Sequence, residues 1–158
     1  VGGRIVDFVG VGSVAVIATV MIVYFRKICD SGHLVTSSAT REMIEQMLHV
    51  SREDVVIGIS LPRYSSRTIK LMEFARDSGA KIIAITDSLD APAAKRADHI
   101  LLAKSDMVSV VDSLVAPMSL VNALIVAIGQ KKKGELARIF DNLEGIWQES
   151  ALYQLVET

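Results

Sequence analysis

Asp54-Val55-Val56-Ile57-Gly58-Ile59-Ser60-Leu61-Pro62-Arg63-Tyr64-Ser65-Ser66-Arg67-Thr68 decides how this chain is read. Its first part is short and apolar on both faces, as a strand covered by helices on either side should be. A helical pattern over residues 66–77 follows, with Ile69, Met72, Phe74 and Ala75 in register, and closes on Ser78-Gly79. Between strand and helix, residues 60–68 hold the aliphatic hydroxyls of Ser60, Ser65, Ser66 and Thr68 and the guanidiniums of Arg63 and Arg67. A helix that opens on such a loop points its free first-turn N–H groups and the positive end of its dipole at it, which suits a phosphate. Arginine adds bidentate donors. Serine and threonine are also common N-caps, so on this loop alone both readings stand.

Outward from that stretch, strand-length apolar runs alternate with helical patterns. Strands are expected at residues 4–9, 33–37, 54–60, 81–86 and 99–103. Helices are expected at 13–28, 40–49, 66–77, 92–97 (short), 107–130 and 135–149. The 13–28 helix is apolar nearly all round and should be buried, and Pro117 should kink or break the 107–130 helix. Regular alternation of this kind gives a single α/β domain, helices on both faces of a five-stranded parallel sheet. Ligands of such sheets bind outside the carboxyl ends of the strands. There the chain carries Gly10-Val11-Gly12-Ser13, Ser37-Ser38, residues 60–68 and Thr86-Asp87-Ser88.

At 158 residues and 51% hydrophobic content one sizeable core is affordable, mainly aliphatic because aromatics are only 5%. A net charge of −1 from 17 basic and 18 acidic residues lacks the balance of a nucleic-acid-binding domain. Lys131-Lys132-Lys133 reads as a solvated linker. Cys29, the single cysteine, excludes an intrachain disulfide or a Cys-rich metal site and is expected to be a buried thiol in a reducing cytosol. The uncharged run 8–25 has the length of a membrane helix, but Gly10 and Gly12-Ser13 divide it into strand, turn and helix, so no membrane partner is expected.

Gly10-x-Gly12-Ser13 resembles half of a dinucleotide fingerprint. Ala15 stands where the third glycine belongs, and no acid closes the second strand, so a Rossmann dehydrogenase is not supported. No Gly-Lys-Ser or Gly-Lys-Thr marks a nucleotide P-loop. Asp87 is expected to cap the short following helix rather than to ligate a metal or accept a phosphoryl group. His33, His49 and His99 fall on separate elements, and no metal site is expected from them.

Taken in order, Gly10-Val11-Gly12-Ser13, the 54–60 strand with Ser60, Gly79-Ala80-Lys81-Ile82-Ile83-Ala84-Ile85-Thr86, and Ala91-Pro92 with Ala97-Asp98 resemble the sugar isomerase (SIS) domain, from Ile5 to about Trp147. The chain is most similar to the C-terminal sensor domain of RpiR-type bacterial transcriptional regulators. That resemblance implies a flavodoxin-like three-layer α-β-α sandwich over residues 1–149, with 150–158 as a tail. It also implies a homodimer or tetramer in the cytoplasm, and an upstream helix-turn-helix domain through which alone DNA would be bound. A start at Val1 rather than Met fits a sensor excised from a longer protein. The expected ligand is a phosphosugar or related anion, with no cofactor. Ser60, Ser65, Ser66 and Thr68 would hold phosphate, helped by Gly12 and Ser13; Ser37 and Thr86 would touch the sugar. The family's loop reads Ser-x-Ser-Gly-x-Thr-x-Glu. Here Pro62 replaces the second Ser, Arg63 the Gly, Ser65 the Thr and Arg67 the Glu, and the two arginines would bind phosphate in compensation, fill the pocket, or reach a neighbouring subunit.

Family isomerases use a Glu after the last strand and often a His from a late helix. Residues 103–128 contain neither, only Asp106 and Asp112, and no His follows His99. No catalytic residue is therefore assigned, and a sensor is expected rather than an aldose–ketose isomerase. A dimerisation scaffold with a degenerate pocket is the third alternative.

Overall fold

A computed structural model describes residues 5–106 and 110–149. Five strands, β1 (Val6–Gly10), β2 (Gly32–Val35), β3 (Val55–Ile59), β4 (Lys81–Thr86) and β5 (His99–Leu102), form one parallel sheet in the order β2-β1-β3-β4-β5. The helices are α1 (Ala15–Ile28), α2 (Thr40–Gln46), α3 (Ser66–Asp77), α4 (Val115–Lys131) and α5 (Lys133–Glu149). The expected α/β sandwich is the observed one.

The two-sided apolarity of the strands has a direct cause. Val6 and Phe8 of β1, Ile57 and Ile59 of β3 and Ile85 of β4 point to one face and meet Ile17, Met21 and Phe25 of α1 and Val121 of α4. The alternate residues, Val9, Val56, Ile82 and Ala84, point to the other face and meet Met43 of α2 and Leu71, Met72 and Ala75 of α3. Each fully buried side chain of this kind contributes roughly 1.5–3 kcal/mol relative to exposure. The sheet is held from both sides, and its carboxyl edge becomes a rigid platform.

Several expectations are corrected. The first helical segment is a 3-10 turn, Gly12–Val14, running into α1. Only one face of α1 is buried; Val16, Val23 and Tyr24 on the other face are exposed. α2 ends at Gln46, short of His49. The 92–97 helix is reduced to a 3-10 turn, Ala94–Arg96. The long helix starts at Val115, so Pro117 falls in its first turn. There a missing N–H costs nothing and no kink arises. Residues 107–109, inside the expected helix, and the 150–158 tail lie outside the described residues. Cys29 is half-buried rather than buried, and hydrogen bonding to it is the main reason the Lys132 ammonium pKa lies above its usual value.

Candidate functional site

The chain leaves β1 for its neighbour β2 and leaves β3 for β4 on the other side. The loops after β1 and β3 therefore diverge, and a crevice opens where strand order reverses. Gly10 and Ile59 end their strands in register, so both loops begin at the same level. A cavity of about 500 Å³ lies between them.

One wall is the turn after β1. A side chain at Gly10 would put its Cβ 3.0 Å from the Val14 carbonyl oxygen, so only glycine lets the turn fold back this tightly. Gly12 has φ 73°, the left-handed region that glycine enters freely. Gly12 and Ser13 are thereby set on the cavity wall.

The other wall is the loop from β3 into α3. Ser60 extends the β3 ladder through its N–H to the Ile85 carbonyl at 3.0 Å. Its Oγ is buried and has no hydrogen-bond partner among the described residues. Ser65 takes the N-cap position of α3, yet its side chain makes no capping hydrogen bond. The first α3 bond runs from the Ile69 N–H to the Ser65 carbonyl, at 3.3 Å. The N–H groups of Ser66, Arg67 and Thr68 are thus the orphan donors of a helix start. The Ser65 side chain does not cap the helix.

Arg63 adopts φ 64°, the backbone region its glycine counterpart would favour. Holding a side chain there carries about 1–2 kcal/mol of backbone cost. Its Nη2 donates to Asp112 Oδ2 at 3.1 Å. Asp112, from the segment before α4, also lines the cavity. Arg67 lines it too and has no ion pair among the described residues. Two guanidiniums against one carboxylate leave the crevice positive.

Seven of the ten expected ligand residues share this cavity: Gly12, Ser13, Ser60, Arg63, Ser65, Ser66 and Arg67. Three lie outside its lining. Thr68 is fully buried in the first turn of α3, its Oγ1 without a partner among the described residues. Ser37 donates its hydroxyl to Glu42 and accepts the Ala39 N–H. Thr86 Oγ1 turns to Asp87, 3.4 Å away. Asp87 does not cap a helix; it accepts the Tyr64 hydroxyl at 2.8 Å and ties the loop to the end of β4. Burial first, and then this carboxylate, raise the Tyr64 pKa. Asp112 had no local signal, because its place depends on how the chain returns from β5. The three histidines fall on separate elements as expected, but two of them, His33 and His49, converge, their ring centroids 5.1 Å apart, while His99 is not part of that group.

The sequence pattern of the SIS domain family matches residues 3–127, from β1 into α4. A Haemophilus influenzae protein named as an uncharacterized HTH-type transcriptional regulator is 32% identical over 78 residues, 49% of this chain and 27% of that protein. The chain spans no more than a third of the curated relatives it matches. The sugar isomerase domain of an RpiR transcription factor from Sphaerobacter thermophilus has the same fold, with a TM-score of 0.84, 24% identity, and coverage of 90% of this chain and 79% of that one. The Vibrio vulnificus NanR protein, in complex with ManNAc-6P, shares the fold at a TM-score of 0.76 and 13% identity, over 94% of this chain and 56% of that one. Since the family pattern runs through the whole sheet and both walls of the crevice, the chain belongs to the SIS domain family.

Proposed function

We propose that this SIS domain is the effector-sensing part of a bacterial transcriptional regulator and takes a phosphosugar in the crevice between β1 and β3. The observation that carries the reading is the convergence of four serine hydroxyls, two guanidiniums and the N-terminus of α3 on one cavity of about 500 Å³. That volume falls in the usual range for small-molecule sites. The phosphate would sit against Ser60, Ser65, Ser66 and the first-turn N–H groups, with Gly12 and Ser13 closing the other side. Arg63 and Arg67 would meet its charge, and the sugar would extend toward Asp112. The regulator names borne by relatives, and the ManNAc-6P in the NanR complex, support this assignment.

In this reading ligand binding biases two arrangements of a homo-oligomer and, through them, the DNA affinity of an upstream helix-turn-helix domain in the cytoplasm. Exposed apolar residues on α1, α4 and α5, among them Tyr24, Val126 and Phe140, offer a surface for self-association. Asp112 in the cavity lining favours one second reading, an isomerase in which this carboxylate moves the proton between adjacent carbons.

Titration calorimetry with a panel of sugar phosphates, on the wild type and on Ser60→Ala, Ser65→Ala together, tests the site. Sedimentation of the same samples reads the oligomer. Binding by the wild type and at least a tenfold loss in the double variant are expected. Equal binding by both places the ligand elsewhere, and no binding at all leaves the scaffold alternative. Solvent deuterium appearing in the recovered sugar would replace the sensor with the isomerase.

A further inference from the structure

Near the amino ends of β1 and β2, Asp7 pairs with His33, so the two side chains stand on the same face. His49, between α2 and β3, reaches that face too. Its Nε2 lies 3.2 Å from Asp7 Oδ2, and His33 Nδ1 lies 3.8 Å from Asp7 Oδ1. We propose that Asp7, His33 and His49 form a binding site for a divalent transition-metal ion of the zinc class.

The carboxylate is what makes this more than two neighbouring histidines. Asp7 is fully buried within an otherwise apolar strand, and its Oδ1 has no hydrogen-bond partner among the described residues. Only Oδ2 is met, by His49 Nε2, and a buried carboxylate that is half satisfied is costly. Neighbouring Asp54 shows the contrast: its oxygens accept the Ile5 N–H at 3.0 Å, and the Ser51 N–H and hydroxyl at 2.8 and 2.9 Å. Asp54 is a satisfied structural acid and adds negative potential beside Asp7. A cation between the carboxylate and the two rings would remove that penalty.

The geometry fits an ion. Zinc binds imidazole nitrogen and carboxylate oxygen at about 2.0–2.2 Å, which sets tetrahedral donors about 3.4 Å apart. His49 Nε2 lies 3.2 Å from one Asp7 oxygen and His33 Nδ1 3.8 Å from the other, and one donor from each of the three residues lies within 4.8 Å of the others, so the ring donors need to close in by up to about 1.4 Å on an ion. The donor set, two neutral imidazoles and one carboxylate, selects zinc, cobalt, nickel or copper over magnesium or calcium. His33 is 49% and His49 31% exposed. An ion can therefore enter from solvent, and a fourth position stays open to water or an external ligand. The competing arrangement is a carboxylate flanked by protonated imidazoles with no ion.

The tag-free chain, stripped with chelator and held at a pH above the imidazole range, is titrated with Co²⁺ and then Zn²⁺. One Co²⁺ per chain is expected, with the visible absorption of a four- or five-coordinate site, displaced by Zn²⁺. Affinity should fall at least about tenfold in His33→Gln and in His49→Gln and stay unchanged in His99→Gln. Both mutated rings are part-exposed, and circular dichroism checks that the variants fold. On the unmutated chain, Zn²⁺ should shift the imidazole resonances of two of the three histidines and leave the third in place. The proposal is overturned if Co²⁺ does not bind, if the His33 and His49 variants bind as well as wild type, or if all three imidazoles shift alike.

Discussion

Arg63 concentrates the chemistry of the crevice in one residue. Its φ of 64° is where an L side chain is strained and glycine is not. Its guanidinium, on the cavity lining, donates to Asp112. Backbone and side chain can be separated by comparing Arg63→Gly with Arg63→Ala. Both lose the guanidinium and should weaken sugar phosphate binding alike. The Gly variant should be the more stable by about 1 kcal/mol in thermal or urea unfolding, because only Ala keeps the left-handed penalty. Equal stabilities would mean the turn relaxes. The hydroxyls and arginines of this loop were legible in the sequence, because their spacing between a strand and a helix is local. That Arg63 would hold the glycine conformation, and that its partner would be Asp112, was not legible: both depend on chain segments that meet only in the folded sheet. Asp7 shows the same limit, an acid in an apolar strand whose meaning rests on β1 pairing with β2 and on where the chain turns after α2.

At the scale of the element, the turn from β1 into α1 is fixed by how closely backbone meets backbone. An added Cβ at Gly10 would stand 3.0 Å from the Val14 carbonyl oxygen and 3.4 Å from Ala18 Cβ, and neither neighbour is a flexible tip. Gly10→Ala should cost about 1–3 kcal/mol and also lower anion affinity, since the turn carries Gly12 and Ser13. Gly145, exposed in the middle of α5 with nothing within 4 Å of an added Cβ, is the control. There an alanine should stabilise by about 0.5–1 kcal/mol through helix propensity and leave binding untouched. A Gly10→Ala variant as stable as wild type would show that the turn can move. The strands and α3 were readable because their apolar period is strong. The 107–130 helix misled, because residues 110–114 are as apolar as a helix face but lead into α4 rather than form part of it. Val110 and Val111 are exposed there.

For the molecule as a whole, fold class and single-domain size followed from the alternation of patterns, and the flavodoxin-like arrangement from the family resemblance. The exposed apolar faces of α1 and α5 did not, because periodicity marks a face as apolar without saying what covers it. Among the described residues no helix is long and apolar enough to cross a membrane. The strand order also bears on how the chain reaches this structure. β3, α3 and β4 are consecutive and pair locally, whereas Val6 of β1 must find Val55 across a loop about twice as long. The crevice has one wall on each of those late partners, so competence to bind arises only with the last pairing. In stopped-flow refolding, bound sugar phosphate should appear with the slowest phase, together with amide protection in β1. Binding that preceded this protection would show the crevice forming without its first strand. The reversal of strand order thus makes occupancy of the crevice a reporter of folding completed.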